Sequence, residues 1–211
     1  MDGTRRLLAY NQQWVAERLA ERPDYFTRLG GQQDPQFVWI GCSDSRVPAE
    51  MLTGCQPGEL FVHRNVANQV IHTDLNMLTV VFYAVERLRV KHIIVCGHTG
   101  CGGVKAAMSR QDFGLINRWL QNIKDCAERH QAELEALPDE EARTGRLVEI
   151  NVVEQVDHLA KTSVIQRCWK REQRPWLHGW VYDTDGGTLR ELVRRTPGDL
   201  PHAAHQYDIE D

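Results

Sequence analysis

A chain of 211 residues can bury the core of one domain and is only marginally long enough for two. Charged residues make up 26% and the formal net charge is −4, so no basic face is offered to nucleic acid or to an acidic membrane surface; small or neutral partners are expected. The opening MDGTRRLLAYNQQW turns polar after a few apolar residues, and no stretch approaches the ~18 apolar residues of a membrane span, so the expected compartment is the cytoplasm.

Leu7, Leu8, Trp14, Val15 and Leu19 recur at helical spacing among polar residues, which predicts an amphipathic helix over about residues 4–21. It precedes any strand, so its apolar side is free to pack on a neighbour. Three short apolar runs follow, Phe37 to Gly41, Leu60 to His63 and His92 to Gly97, and runs of this length read as strands buried on both faces. Between the second and third, Leu75, Leu78, Phe82, Val85 and Leu88 line one side of a helix that Thr73 or Asp74 can cap. From Gly114 to about Lys170 the pattern is helical, with breaks expected near Pro138 and Gly145 and a solvated, charged hairpin over 128–143. A fourth strand, Leu177 to Tyr182, meets a hairpin partner at Thr188 to Leu192 across Asp185-Gly186-Gly187. The tail beyond Pro197 is polar and expected to be loose.

Strands alternating with helices imply an α/β fold: a mostly parallel four-stranded central sheet with an antiparallel edge strand, flanking helices and an N-terminal helical arm. The expected domain plan is a single domain over 1–211, with an arm over 1–35, a core over 36–192 and a tail over 193–211.

Six cysteines in a chain without an export signal argue for thiols or metal ligands rather than a disulfide framework. Cys55, Cys96, Cys126 and Cys168 read as small buried hydrophobes. Cys42 ends the first strand, and Cys96-Gly97-His98-Thr99-Gly100-Cys101-Gly102-Gly103 follows the third. If those strands are neighbours, Cys42, Asp44, His98 and Cys101 converge where ligands bind an open parallel sheet. Two thiolates, an imidazole and a carboxylate can complete a tetrahedral zinc shell, and soft sulfur with nitrogen favours zinc over magnesium or calcium. Taken singly, a cysteine at a strand end can be packing and a histidine near glycines can be merely hydrogen-bonded. The glycine-rich turn follows neither G-x-G-x-x-G nor the P-loop pattern, and a redox C-x-x-C is absent.

Cys42-x-Asp44-x-Arg46 with His98-x-x-Cys101 resembles the zinc signature of the beta-class carbonic anhydrases. The resemblance runs from the N-terminal helix to about Leu192 and includes PGELFVHRNVANQVIHTD (57–74) and LHGWVYD (177–183). It implies reversible hydration of carbon dioxide to bicarbonate by one Zn2+ per subunit, held by Cys42, His98 and Cys101, with Asp44 orienting the reacting water and Arg46 holding Asp44. The bicarbonate-regulated subgroup is resembled more specifically. There Asp44 can leave Arg46 to become a fourth metal ligand, and Trp39, Arg64 and Tyr182 hold a non-catalytic, inhibitory bicarbonate. The resemblance further implies a substrate pocket walled by Gln33, Phe61, Tyr83 and Gly102, partly from a second subunit, and a homodimer or homotetramer. Two alternatives stay open: a structural zinc in a binding module, which gives Arg46 no purpose, and carbon disulfide or carbonyl sulfide as substrate.

Overall fold

The computed structural model describes residues 2–210, and the chain divides after Asp34 into a small N-terminal unit and a main unit. The N-terminal unit is α1 (Gly3–Glu21) and α2 (Tyr25–Leu29). Asp2 starts α1 by accepting hydrogen bonds from the Thr4 hydroxyl (2.8 Å) and the Thr4 amide (3.4 Å). Trp14 packs edge-on against Tyr25 and Phe26. No residue of α1 is buried, and Leu7, Leu8 and Tyr10 each expose more than 60% of their surface.

The main unit holds β1 (Phe37–Cys42), β2 (Leu60–Asn65), β3 (His92–His98), β4 (Trp176–Tyr182) and β5 (Leu189–Arg195). They form one sheet in the order β2-β1-β3-β4-β5, parallel except for β5 against β4, and the mostly parallel sheet with an antiparallel edge is as expected; β2, at the sheet edge, buries only His63 rather than both faces. Its helices are α3 (Ala49–Thr53), α4 (Leu75–Glu86), α5 (Gly102–Met108), α6 (Ile116–Arg129), α7 (Gln131–Glu135), α8 (Glu140–Ala160) and α9 (Ser163–Glu172). Asp74 caps α4 through the Asn76 amide (3.0 Å). One sheet face, with Val38, Ile40, Ile93, Val95 and Leu177, packs on Met77 and Val81 of α4, Val156 and Leu159 of α8, and Ile165 and Trp169 of α9. The other face carries Trp39, Ile94 and Cys96 against Val47 and Ala49.

Two further expectations need correction. Gly145 does not break the helix: α8 runs unbroken from its Asp139 cap to Ala160. A single interior glycine costs only ~1 kcal/mol, and buried Thr144, Leu147 and Val148 around it outweigh that. The break falls instead at Lys161-Thr162, where the Thr162 hydroxyl bonds to Leu159 O (2.7 Å). Nor is the tail loose. The Gln166 amide donates to His205 O (2.8 Å) and accepts from Tyr207 N (3.0 Å), and Arg171 donates to Glu210 O (3.0 Å), so side chains of α9 supply the backbone partners a polar tail needs.

Candidate metal centre

The chain leaves β1 toward β2 on one side and returns to β3 on the other, so the strand order reverses between β1 and β3 and opens a crevice at their carboxyl ends. Cys42 is the last residue of β1, His98 the last of β3, and Cys101 caps α5. Their ligand atoms lie within 4.8 Å of one another, all three residues are buried, and the two sulfurs are 4.0 Å apart. His98 Nδ1 is 2.9 Å from Thr99 O; a carbonyl can only accept, so Nδ1 carries the proton and Nε2 offers its lone pair to the sulfurs. That Nε2 is buried without a hydrogen-bond partner.

Two backbone groups join the cluster that the sequence reading missed. The Thr99 carbonyl is one. The Ala67 amide is the other, donating to Cys42 Sγ (3.4 Å) from a 3-10 turn, Val66–Asn68, in which Ala67 has φ 62°. Asn151 and Gln69 hold that turn by donating to Ala67 O (3.1 and 2.8 Å). The only signal in the sequence is the set of polar residues Asn65, Asn68 and Gln69 at and just after the end of β2. Gly100, at φ +65°, allows the tight reversal between His98 and Cys101, and Gly103 lets α5 sit against Val66, whose Cγ1 would lie 2.8 Å from an added Cβ.

The electrostatics suit a divalent cation. The Cys101 thiol beside Cys42 lowers the Cys42 pKa, and Cys42 together with burial raises that of Cys101, so the pair readily holds one negative charge and resists the second. A cation between the sulfurs removes that resistance. Tetrahedral bonds of ~2.3 Å to zinc place two sulfurs about 3.8 Å apart, close to the separation seen, so the residues present fit zinc. His98 is pushed down by burial but raised on balance by the Cys42 sulfur, the Thr99 carbonyl and Asp44.

Asp44 stands beside this cluster, its Oδ2 3.7 Å from His98 Nε2. Arg46 grips it in a fork, Nε to Oδ1 at 2.9 Å and Nη2 to Oδ2 at 2.8 Å, and the Arg46 amide adds a third bond at 2.9 Å. These bonds hold the Asp44 carboxyl well below the usual carboxylate range.

Trp39 is fully buried, its indole N–H has no partner, and the ring lies so far over Gly41 that an added Cβ would meet Nε1 at 2.2 Å. Arg64 sits one strand away at the Gly41 register and donates to the carbonyls of Cys42 (2.8 Å) and Asp44. Tyr182 packs in the Trp39 cluster at the end of β4, opposite His98. Phe61 and Tyr83 stack with ring centres 5.9 Å apart, Gly102 opens α5, and Gln33 is an exposed residue of the N-terminal unit. Of the other cysteines, Cys96, Cys126 and Cys168 are buried packing residues, and burial pushes the Cys126 and Cys168 thiols up to about 12 and about 11; Cys55 is half-buried.

Residues 37–189 match the family model for carbonic anhydrase. The chain is 43% identical over 204 residues to a carbonic anhydrase of Emericella nidulans, covering 97% of this chain and 90% of that protein. In three dimensions it is similar to a β-carbonic anhydrase of Aspergillus fumigatus, at TM-score 0.87 and 39% identity over 90% of this chain and 91% of that one. A tetrameric β-carbonic anhydrase of Sordaria macrospora gives TM-score 0.89 and 36% identity over 92% and 100%.

Proposed function

The chain belongs to the beta-class carbonic anhydrase family, and from that premise we propose that it is a zinc enzyme with a built-in closing switch. Its activity is that of a carbonate dehydratase, the reversible hydration of carbon dioxide to bicarbonate and a proton. One Zn2+ per subunit, held by Cys42, His98 and Cys101, would supply in its remaining position a water acidic enough to react near neutral pH. The observation that carries this reading is the buried, unpartnered Nε2 of His98 directed at two buried thiols.

Asp44 accepts the hydrogen of the attacking water and so turns an oxygen lone pair toward carbon dioxide. It can do so because its carboxyl stays ionised on the Arg46 fork. Closing would be the same carboxylate, 3.7 Å from His98 Nε2, turning to the cluster as a fourth ligand in place of water. Arg46 is 57% exposed at its side chain, so a released guanidinium passes into water rather than into the protein interior. Support for the regulatory bicarbonate comes from the donors Trp39, Arg64 and Tyr182 on one sheet face: the indole N–H is unpartnered, and Arg64 holds the Asp44 carbonyl. An anion that draws Arg64 away would loosen the loop that keeps Asp44 on Arg46. A permanently closed structural site is disfavoured, because Asp44 is committed to Arg46.

The open apolar side of α1 favours a homodimer or homotetramer, in line with the tetrameric Sordaria macrospora enzyme, with Gln33, Phe61, Tyr83 and Gly102 walling the pocket across subunits. Six free cysteines suit the reducing cytoplasm. We take the whole chain as one catalytic domain with a helical arm and a short tail. Stopped-flow hydration before and after chelation, with zinc restored, tests the metal; activity that survives chelation would refute it. Equal activity at about pH 7 and 8.5, indifferent to bicarbonate, would refute the switch.

A further inference from the structure

If Asp44 leaves Arg46 for the metal, an exposed guanidinium is left without its carboxylate, and the position of closure depends on where that charge goes. Arg46 lines a cavity of about 590 Å3 whose walls include Thr99, Lys105, Thr184 and Asp185. Asp185 lies in the turn between β4 and β5, and that turn is firmly held. Asp183 Oδ1 accepts from the Asp185 amide (3.1 Å) and the Thr99 hydroxyl (3.3 Å), Thr184 N donates to Thr99 Oγ1 (2.9 Å), and Gly187 N donates to Asp183 O (2.8 Å). Thr99 is also the residue whose carbonyl fixes His98, so the turn and the metal cluster share a support.

These bonds consume the Asp183 carboxylate and leave that of Asp185 without a hydrogen bond or ion pair among the described residues. Glu140 and Glu141 line the same cavity but occupy the first turn of α8, where the positive helix end favours them in place.

From this placement we infer that Asp185 is the second seat of the Arg46 guanidinium: when Asp44 moves to the metal, Arg46 swings across the cavity to Asp185, and the new pair stabilises the closed enzyme. Asp185 is thus a positioning residue acting on Arg46, and the inference rests on the open and closed states proposed above. An exposed pair of this kind shifts a two-state balance by about two- to fivefold.

The test uses zinc-loaded enzyme carrying Asp185→Asn, Asp185→Glu or, as a control on the same cavity, Glu141→Gln. Half-inhibition by bicarbonate is measured by stopped flow at one pH, and wild-type crystals grown in bicarbonate report the Arg46 side chain. Asp185→Asn is expected to need about two- to fivefold more bicarbonate, with Asp185→Glu and Glu141→Gln close to wild type. In the crystals the guanidinium should lie within ~4 Å of the Asp185 carboxylate. Unchanged inhibition in Asp185→Asn, or a closed site with Arg46 turned elsewhere, overturns the inference while leaving the switch intact. A wild-type enzyme indifferent to bicarbonate removes the switch and this inference with it.

Discussion

In the proposed mechanism orientation and closure meet at Asp44, and a substitution there tests the two roles together. Asp44→Asn keeps the shape of the side chain but loses the charge that Arg46 and the attacking water both use. The expected outcome is a fall in hydration rate of at least ~10²-fold with zinc retained, read by stopped flow and metal analysis. His98→Ala is expected to lose the metal itself, because Cys42 and Cys101 alone leave the shell short of a ligand. Retention of stoichiometric zinc in His98→Ala would overturn the ligand assignment. At this scale the cluster of Cys42, His98 and Cys101, with Asp44 beside it, was legible in the sequence because these residue types end two strands that can be neighbours, whereas Arg46 entered through the family resemblance. The Ala67 amide and the Thr99 carbonyl were not, because backbone groups carry no residue identity and only the fold aims them.

Among the elements, α8 shows where periodicity runs out. Its helical pattern is readable, but its buried side is not wholly apolar: buried Asn151 and Gln155 and half-buried His158 turn toward the segment Ala67 to Val70. Gln155 Oε1 accepts the Val70 amide at 2.7 Å, and its own amide donates to Asn151 at 3.0 Å. An apolar-periodicity argument cannot find such a face, since buried amides look like surface residues until their partners are known. Gln155→Leu keeps the volume roughly but leaves the Val70 amide buried and unpaired. Denaturant unfolding is expected to show a loss of about 1–3 kcal/mol, and a loss below the error of the measurement would mean that water replaces the missing partner. The Gly145 correction belongs to the same scale: a helix with ten buried residues tolerates one glycine that a local reading takes as a stop.

At the scale of the main unit the mostly parallel sheet with an antiparallel edge strand was legible from the apolar runs and the hairpin, whereas the strand order, with β1 beside β3, entered the reading only as a condition. How the molecule responds to acid was not legible, since that depends on burial. Burial is the first cause that lowers the pKa of His63, His92, His158 and His178. His158 is the clearest case: burial lowers it even though its Nδ1 lies 2.9 Å from Val70 O, a bond that favours the protonated ring. A histidine whose folded pKa lies below its unfolded value of ~6.5 is proton-poor in the folded state, so the unfolded chain takes up more protons as the pH falls. Its stabilising contribution is complete above that unfolded value and is lost as the pH drops toward the folded one. The paired carboxylates Glu149 and Glu154 are also lowered, but theirs is lost only below the unfolded carboxylate value of ~4.3. The carboxylate window is therefore separate, whereas the lowered Cys42 thiol, ionised in the folded metal-free cluster and protonated in the unfolded chain, adds to the histidines in any fall in Tm between about pH 7.5 and 5.5. Calorimetry on His158→Gln is expected to show a shallower decline over that interval than the wild type, because one of the groups that must be kept neutral is gone. An identical slope in the two proteins would place the acid sensitivity elsewhere, in metal loss or in assembly.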